Sequence, residues 1–224
     1  MTPSWGKSNK LTTTNVVLSD ESIQSWLAPF NTQLSALQLE QIQKYISLLV
    51  LWNQKISLTS IEIPQELVSR HFGESFFGAK FIKNLACRLA DVGSGAGFPG
   101  LALKIVLPDL QVSLIEQDTR KATFMNEVIR ALKLDDVEVL RSSYEALAPE
   151  ISNFDVIAAR AVGDHKSLLK WAGPRLTAAS GEVLLWLGAE DAARISVLPG
   201  WQWRLPHLLP NSKNRVLLSG TTVK

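Results

Sequence analysis

The chain has 224 residues, of which 46% are hydrophobic, and its 23 basic and 21 acidic residues give a formal net charge of +2. This length accommodates one sizeable α/β domain with a small extension, and the hydrophobic residues supply its core. The nearly balanced charge excludes a protein held on nucleic acid by charge alone, so any RNA contact must be local or supported by shape.

The cysteine and histidine content argues against disulfides and metal sites. Cys87 is the only cysteine, which excludes an intramolecular disulfide, and His71, His165 and His207 match no zinc-binding spacing. No stretch approaches the ~18 apolar residues of a membrane span, and the N-terminus lacks the apolar core of a secretion signal. We therefore expect a reduced, metal-free, cytoplasmic protein.

The first part of the chain predicts a tail followed by a helical cap. Residues 1–18 are rich in Thr, Ser and Asn without apolar periodicity, which is typical of a flexible tail. Residues 19–84 predict the cap, with short helices around 22–30 and from Pro64. Its longest helix begins after Ser35-x-x-Gln38, a capping-box pattern. Apolar residues follow at helical spacing: Leu39, Ile42, Tyr45, Ile46, Leu49 and Trp52.

Residues 85–224 alternate between strand and helix patterns, which predicts a parallel, doubly wound sheet. The predicted strands are 88–93, 111–117, 137–142, 154–161 and 182–187, and the helices begin at Gly97, Thr119, Lys166 and Glu190. Two last strands, 201–208 and 215–221, flank a turn too short for a crossover helix and are therefore antiparallel. We predict a Rossmann-like, mostly parallel seven-stranded sheet ending in an antiparallel hairpin, which forms a single structural unit with the cap.

The most informative segment is the glycine loop of residues 93–99, after the first predicted strand. Gly95-Ala96-Gly97-Phe98-Pro99-Gly100 matches the G-x-G-x-x-G pattern of dinucleotide-binding proteins, which alone is a weak signal. Three features favour S-adenosylmethionine instead: Asp91 two residues before the first glycine, the denser spacing of Gly93, Gly95 and Gly97, and an acidic residue closing the next strand. The antiparallel end of the sheet is a fourth, because methyltransferase sheets end in a β-hairpin.

Each acidic residue has a chemical role in this interpretation. Asp91 accepts hydrogen bonds from the methionyl ammonium, and Glu116 accepts both hydroxyls of an unphosphorylated ribose. The alternative is that Asp91 only caps the loop and that Glu116 is a solvated strand end. Their joint placement favours the cofactor.

The chain closely resembles the bacterial 16S ribosomal RNA guanine-N7 methyltransferases, the family also called glucose-inhibited division protein B. The resemblance covers nearly the whole chain after the tail, and the ending Gly97-Phe98-Pro99-Gly100 is its most specific element. The motifs that carry it are Trp52-Asn53-Gln54-Lys55 with Leu58-Thr59-Ser60, Arg70-His71 with Glu74-Ser75 where an aspartate is usual, residues 91–100, Arg120-Lys121 and Arg160-Ala161.

The resemblance implies a class I S-adenosylmethionine-dependent methyltransferase that acts on N7 of a guanine in 16S rRNA, free or within the small ribosomal subunit. We also expect a monomer. It implies that Gly93 and Phe98 contact the cofactor and that Tyr144 and Glu145 line its adenine. It also implies that Arg160 lies between cofactor and substrate, where it holds a phosphate or the guanine O6 as the catalytic residue. The alternative for Arg160 is a structural ion pair.

Two positions depart from the family pattern by losing positive charge. Ser143 and Leu187 stand where the family commonly has an arginine and a lysine. Phosphate neutralisation is a main source of RNA affinity, so two other hypotheses stay open. One is a methyltransferase of the same fold that acts on a small molecule or a protein, and the other is a non-catalytic RNA-binding module. A dehydrogenase is disfavoured by Asp91 and Pro99, and His71 is interpreted as a buried structural histidine rather than a catalytic one.

Overall fold

The structure is a computed structural model that describes residues 18–177 and 181–223. The predicted tail therefore lies outside the described residues except for Leu18, which packs against the hydrophobic core.

In the part of the chain that the structure describes, the sheet has eight strands in the order β3-β2-β1-β4-β5-β8-β6, with β7 also paired to β8. Strands β1 to β5 are parallel and β6 to β8 are antiparallel additions at one side, which confirms the predicted mostly parallel sheet with an antiparallel end. The strands are β1 (Arg88–Val92), β2 (Gln111–Ile115), β3 (Val137–Leu140), β4 (Val156–Arg160), β5 (Glu182–Gly188), β6 (Trp201–Trp203), β7 (His207–Leu208) and β8 (Arg215–Thr222).

The strand count differs from the predicted seven because the segment predicted as one strand, 201–208, is divided into β6 and β7. Trp203 pairs with Gly220, whereas His207 pairs with Leu217, so one extra residue lies between the two short strands. Pro206 lies in this interval and has no N–H to donate to a ladder.

The helices confirm the predicted cap and the crossovers. They are α1 (Asp20–Leu27), α2 (Ala36–Asn53), α3 (Pro64–Leu67), α4 (Glu74–Ala79), α5 (Gly100–Val106), α6 (Thr119–Leu132), α7 (His165–Ala172) and α8 (Ala189–Ile195). A π-helical turn, Val68–Gly73, joins α3 to α4. Ser35 and Gln38 form both hydrogen bonds of the capping box that begins α2. Helix α5 begins at Gly100 rather than at the predicted Gly97, whose φ of +86° is incompatible with a right-handed helix.

The cap shares a hydrophobic core with one face of the sheet. Buried residues of α1, α2 and α4 form one cluster with α5, α6 and alternate residues of the strands, such as Leu89 and Leu114. The other strand residues, such as Ala90 and Ile115, pack with α7 and α8. The cap therefore extends one of the two helical layers, directly over the helix that follows the glycine loop.

Within the described residues no helix is long and apolar enough to cross a membrane. In the same part of the chain, no three His, Cys, Asp or Glu side chains are grouped to hold a metal ion.

Candidate functional site

The candidate site lies at the carboxyl ends of β1, β2 and β4, which are neighbours in the sheet. Chain order reverses there, because β1 leads to β2 on one side while β4 lies on the other, and open α/β sheets bind ligands at such a point. This edge brings together the glycine loop, Glu116 and Arg160, as the sequence predicts.

The glycine loop has a backbone that other residues adopt only with strain. Gly93, Gly95 and Gly97 have φ values of +69°, +58° and +86°. Space is also limited at Gly97, where an added Cβ would lie 2.5 Å from the Tyr45 hydroxyl, and at Gly100, where it would lie 2.8 Å from Asp91 Oδ2. The loop is thus closely fitted to the cap on one side and to Asp91 on the other.

Asp91 is fully buried beneath the loop. Its Oδ2 accepts a hydrogen bond from Gly100 N–H at 2.8 Å, whereas Oδ1 has no partner among the described residues. Burial raises the pKa of this carboxyl to about 7, although the hydrogen bond from Gly100 opposes the shift. Asp91 does cap the loop, as the alternative interpretation held, but one buried oxygen is left for a ligand. An ammonium group fits that oxygen.

Glu116 is buried rather than solvated. Its Oε2 accepts a hydrogen bond from Gly95 N–H at 2.9 Å, and its Oε1 accepts one from Asp118 N–H at 2.9 Å. Each carboxylate oxygen keeps a further lone pair, so the predicted bond to a ribose hydroxyl remains compatible with this geometry. The structure adds that Glu116 also fixes the loop at Gly95.

The Phe98 ring is enclosed by the cap. It stacks on Tyr45, with ring centroids 5.1 Å apart, and on His71, with centroids 4.6 Å apart. Phe98 is 6% exposed, so little of its ring is left for the predicted contact with a cofactor. Tyr45 also donates a hydrogen bond from its hydroxyl to the Ala96 carbonyl. Sequence reasoning identified Tyr45 only as a core residue of α2, and the apolar spacing carried no signal for this contact.

His71 is a neutral residue of the cleft wall. Its Nε2 lies 2.8 Å from Thr59 Oγ1, and burial, with smaller effects of Arg160 and Arg70, lowers its pKa to about 3. A histidine that stays neutral and stacks on Phe98 fits the structural interpretation better than the catalytic one.

Arg160 belongs to a cluster around one buried carboxylate, which we call the arginine cluster: Arg70, Glu74, Arg160 and Arg215. Arg160 donates a hydrogen bond to the Arg70 carbonyl at 2.7 Å, and its Nη2 lies 3.6 Å from Glu74 Oε2. Arg215 donates to Glu74 Oε1 from Nε at 2.8 Å, and its Nη2 lies 2.7 Å from the same oxygen. The ion pair considered for Arg160 therefore exists, but it is long and shares its carboxylate with a second arginine.

In the sequence, Glu74 stands out only as part of a motif, and Arg215 carries no signal that marks it for this site. These two residues are 141 positions apart in the chain. The arginine cluster carries more positive than negative charge, because Arg70 pairs with Glu66 and Glu74 is shared.

The segment predicted to line an adenine follows β3 as a short 3-10 turn, Tyr144–Ala146. The Tyr144 ring packs edge-on against Trp171 at 5.5 Å, and its pKa is raised to about 12 by burial and then by Glu145. The Glu145 side chain is exposed. Of the two positions where the resemblance leads us to expect a basic residue, Ser143 precedes this turn and Leu187 is buried in the core between the sheet, α7 and α8.

Comparison with known proteins identifies relatives of one family. The family described as rRNA small subunit methyltransferase G matches residues 38–199. The "Ribosomal RNA small subunit methyltransferase G" of Chromobacterium violaceum is 34% identical over 186 residues, which are 82% of this chain and 87% of that protein. The protein of the same name from Chloroflexus aggregans is 36% identical over 159 residues, 70% of this chain and 65% of its own length.

The chain spans only 60 to 65% of the length of three of these relatives. Solved structures with the same fold include a SAM dependent methyltransferase from Aquifex aeolicus, with a TM-score of 0.59 and 17% sequence identity over 72% of this chain and 94% of that one. The class I methyltransferase fold is thus shown by the sheet topology and by this likeness.

Proposed function

Because the chain belongs to the rRNA small subunit methyltransferase G family, we propose that it transfers a methyl group from S-adenosylmethionine to N7 of a guanine in 16S ribosomal RNA. The observation that carries the proposal is the buried Asp91 oxygen without a partner, beneath a glycine loop and beside Glu116 and Arg160. The relatives' names add ribosomal RNA of the small subunit as their substrate.

The proposed cofactor site uses residues from three strand ends. Asp91 Oδ1 accepts from the methionyl ammonium, the loop at Gly93, Gly95 and Gly97 lets the amino-acid part pass close to the backbone, and Glu116 accepts from the ribose hydroxyls. Tyr144 and Glu145 line the adenine, and Phe98 supports the loop from the cap. When bound, the cofactor supplies a methyl group on a sulfonium, whose positive charge passes to the guanine with the methyl.

N7 of guanine fits a site without a general base. It carries an in-plane lone pair and no proton, so its methylation needs no proton removal, in agreement with a His71 held neutral inside the cleft wall. Catalysis then consists of aligning N7 with the methyl group, and positioning of this kind supplies roughly 7–11 kcal/mol. Arg160 orients the guanine through O6 or a neighbouring phosphate.

The arginine cluster supports an anionic substrate. Arg160 and Arg215 share the carboxylate of Glu74, and the side chain of Arg215 is 34% exposed. RNA phosphates are the natural complement to such a surplus of charge. We propose 16S rRNA or the small ribosomal subunit as the partner, and a metal-free monomer acting in the cytoplasm.

A methyltransferase of the same fold that acts on a small molecule or a protein is the second candidate. Leu187 favours it, because an apolar residue buried in the core supplies no phosphate contact where the family commonly has a lysine.

Transfer of radiolabelled methyl from S-adenosylmethionine to small ribosomal subunits tests both candidates. The subunits come from a strain that lacks this protein, and the RNA is digested to nucleosides and separated. Labelled 7-methylguanosine is the expected product. Cofactor binding without any label on RNA would favour the small-molecule, protein or non-catalytic hypotheses instead.

A further inference from the structure

Tyr45 connects the cap directly to the glycine loop. It lies in the middle of α2, is fully buried, stacks on Phe98 and donates a hydrogen bond to the Ala96 carbonyl. Burial and the nearby Asp91 raise the pKa of its phenol well above the usual value, so the hydroxyl stays a donor at physiological pH. The contact joins a residue of the cap to the centre of the loop.

The amides of the loop are almost all occupied by the protein itself. Gly93 N–H and Ser94 N–H donate to the Ile115 carbonyl at 2.9 and 3.2 Å, and Gly95 N–H donates to Glu116. The Ser94 carbonyl accepts from the next two, Gly97 N–H at 2.7 Å and Phe98 N–H at 3.1 Å. Among residues 93–98, all of which the structure describes, only Ala96 N–H has no hydrogen-bond partner.

Ala96 is therefore both the residue with the available N–H and the residue whose carbonyl accepts the hydrogen bond from Tyr45. The hydrogen bond from Tyr45 fixes the peptide plane between Ala96 and Gly97, and Glu116 fixes the plane that carries Gly95 N–H. The N–H of Ala96 lies in the peptide plane between these two, next to glycines, which restrict the backbone least. A free amide in a loop of this kind is suited to a carboxylate, and the methionyl part of S-adenosylmethionine carries one.

We propose that Tyr45 is a positioning residue for the cofactor. By holding the Ala96 carbonyl, the Tyr45 hydroxyl orients the adjacent peptide, whose Ala96 N–H is the loop's donor to the cofactor carboxylate. This inference rests on the proposed function, because it takes S-adenosylmethionine as the ligand. It goes beyond the loop itself by making a cap residue part of the cofactor site.

The test compares two ligands on Tyr45→Phe, which removes only the hydroxyl. S-adenosylhomocysteine carries the carboxylate, whereas 5′-methylthioadenosine lacks the amino-acid part altogether. We expect Tyr45→Phe to bind S-adenosylhomocysteine roughly five- to twentyfold more weakly by calorimetry, since a buried carbonyl loses its donor, and to bind 5′-methylthioadenosine like the wild type.

Gln41→Leu is the matched control. Gln41 also lies on α2, and its Nε2 donates to the Leu132 carbonyl at 3.1 Å, so the variant loosens the cap without touching the loop. Its melting temperature should fall, and its affinity for both ligands should stay unchanged.

Equal affinity of Tyr45→Phe and wild type for S-adenosylhomocysteine, or an equal loss for both ligands, would overturn the inference. Failure of the wild type to bind either ligand would instead overturn the proposed function. If Tyr45→Phe does not fold, the Ala96 amide resonance of the wild type decides: it should shift with S-adenosylhomocysteine and not with 5′-methylthioadenosine, and any other result contradicts the role.

Discussion

The glycine loop and the arginine cluster lie at the same edge of the sheet and are held in place by different forces. In the loop, every backbone N–H of residues 93–98 except that of Ala96 donates a hydrogen bond within the chain, and Phe98 stacks on two rings of the cap. In the arginine cluster, Glu74 is 2% exposed and is shared by Arg160 and Arg215, whose side chains are 16% and 34% exposed. The loop depends on shape and the cluster on charge.

This difference determines which kind of ligand the glycine loop and the arginine cluster can each bind. A loop with a fixed backbone and few free polar groups recognises one small ligand by its fit and by those few groups. A cluster with more guanidinium groups than carboxylates attracts anions, and the strength of this attraction depends on the salt concentration. Changes of charge in the cluster should therefore affect methyl transfer, and changes in the loop should affect cofactor affinity.

The largest expected effect is that of Arg160→Gln on methyl transfer. Loss of a buried, hydrogen-bonded charge costs about 2–5 kcal/mol, or roughly a 30- to several-thousand-fold lower rate. Single-turnover transfer to small ribosomal subunits measures it. Arg88→Gln, at the amino end of β1, is the matched control and should keep the wild-type rate. If Arg160→Gln also keeps that rate, the cluster has no part in catalysis.

The second largest expected effect is that of Asp91→Asn on cofactor affinity, which tests the loop region independently of the arginine cluster. Asp91→Asn keeps an oxygen for Gly100 N–H but loses the charge offered to the ammonium, which is worth about 1.5–3 kcal/mol. We expect roughly ten- to 150-fold weaker binding of S-adenosylhomocysteine by calorimetry. Asp155→Asn is the control, because Asp155 also accepts a backbone N–H, that of Arg88 at 2.9 Å, at the opposite edge of the sheet. Equal affinity of Asp91→Asn and wild type would exclude Asp91 from ammonium binding.

The residues that the sequence could identify are those whose position follows from local pattern. Asp91, Glu116 and Arg160 come at the ends of strands, and parallel strands bring their carboxyl ends to one edge, so their proximity could be predicted. The cap was predictable as helices, because Ser35 and Gln38 mark a helix start and apolar residues follow at helical spacing.

The contacts between distant segments could not be predicted. Helical periodicity shows that Tyr45 is buried but not that it meets Ala96, 51 residues later. Glu74 and Arg215 read as ordinary charged residues until β8 is placed beside β5, where Arg215 pairs with Gly188. The division of the last strand depends on a one-residue shift of register, which the apolar pattern of 201–208 does not show.

The third effect is a pH dependence of cofactor binding. The pKa of Asp91 is about 7 without ligand, so below pH 7 the carboxyl is protonated and must lose a proton to pair with an ammonium. Affinity for S-adenosylhomocysteine should be constant above pH 7 and fall about tenfold per pH unit below it. Calorimetry from pH 5.5 to 8.5 measures this, and Asp91→Asn should give a flat profile. A dependence that persists in the variant would come from another group.

The raised pKa of the Asp91 carboxyl also predicts how the free energy of unfolding depends on pH. Its pKa is raised in the folded state, so its contribution is fully present below the unfolded value near 4 and is lost as pH rises through 7. The free energy of unfolding of the wild type minus that of Asp91→Asn should therefore be lower at pH 8 than at pH 4. Urea unfolding of both proteins at the two pH values measures this difference, and an unchanged difference would show that Asp91 titrates normally.

The smallest effect tests whether positive charge beside the turn proposed to line the adenine matters to RNA binding. Ser143→Arg adds a guanidinium at the carboxyl end of β3, where an exposed pair with a phosphate is worth about 0.2–1 kcal/mol. We expect a roughly 1.5- to fivefold lower KM for ribosomal subunits at low salt, with unchanged cofactor affinity. The slope of log affinity against log salt concentration should become steeper by about 0.7–0.9.

Ser152→Arg adds the same charge just before β4, at the opposite edge, so it controls for non-specific attraction. If both variants improve RNA binding equally, the gain is one of net charge. If only Ser143→Arg does, the RNA passes over this side of the site, and the chain retains a surface on which the lost arginine would act.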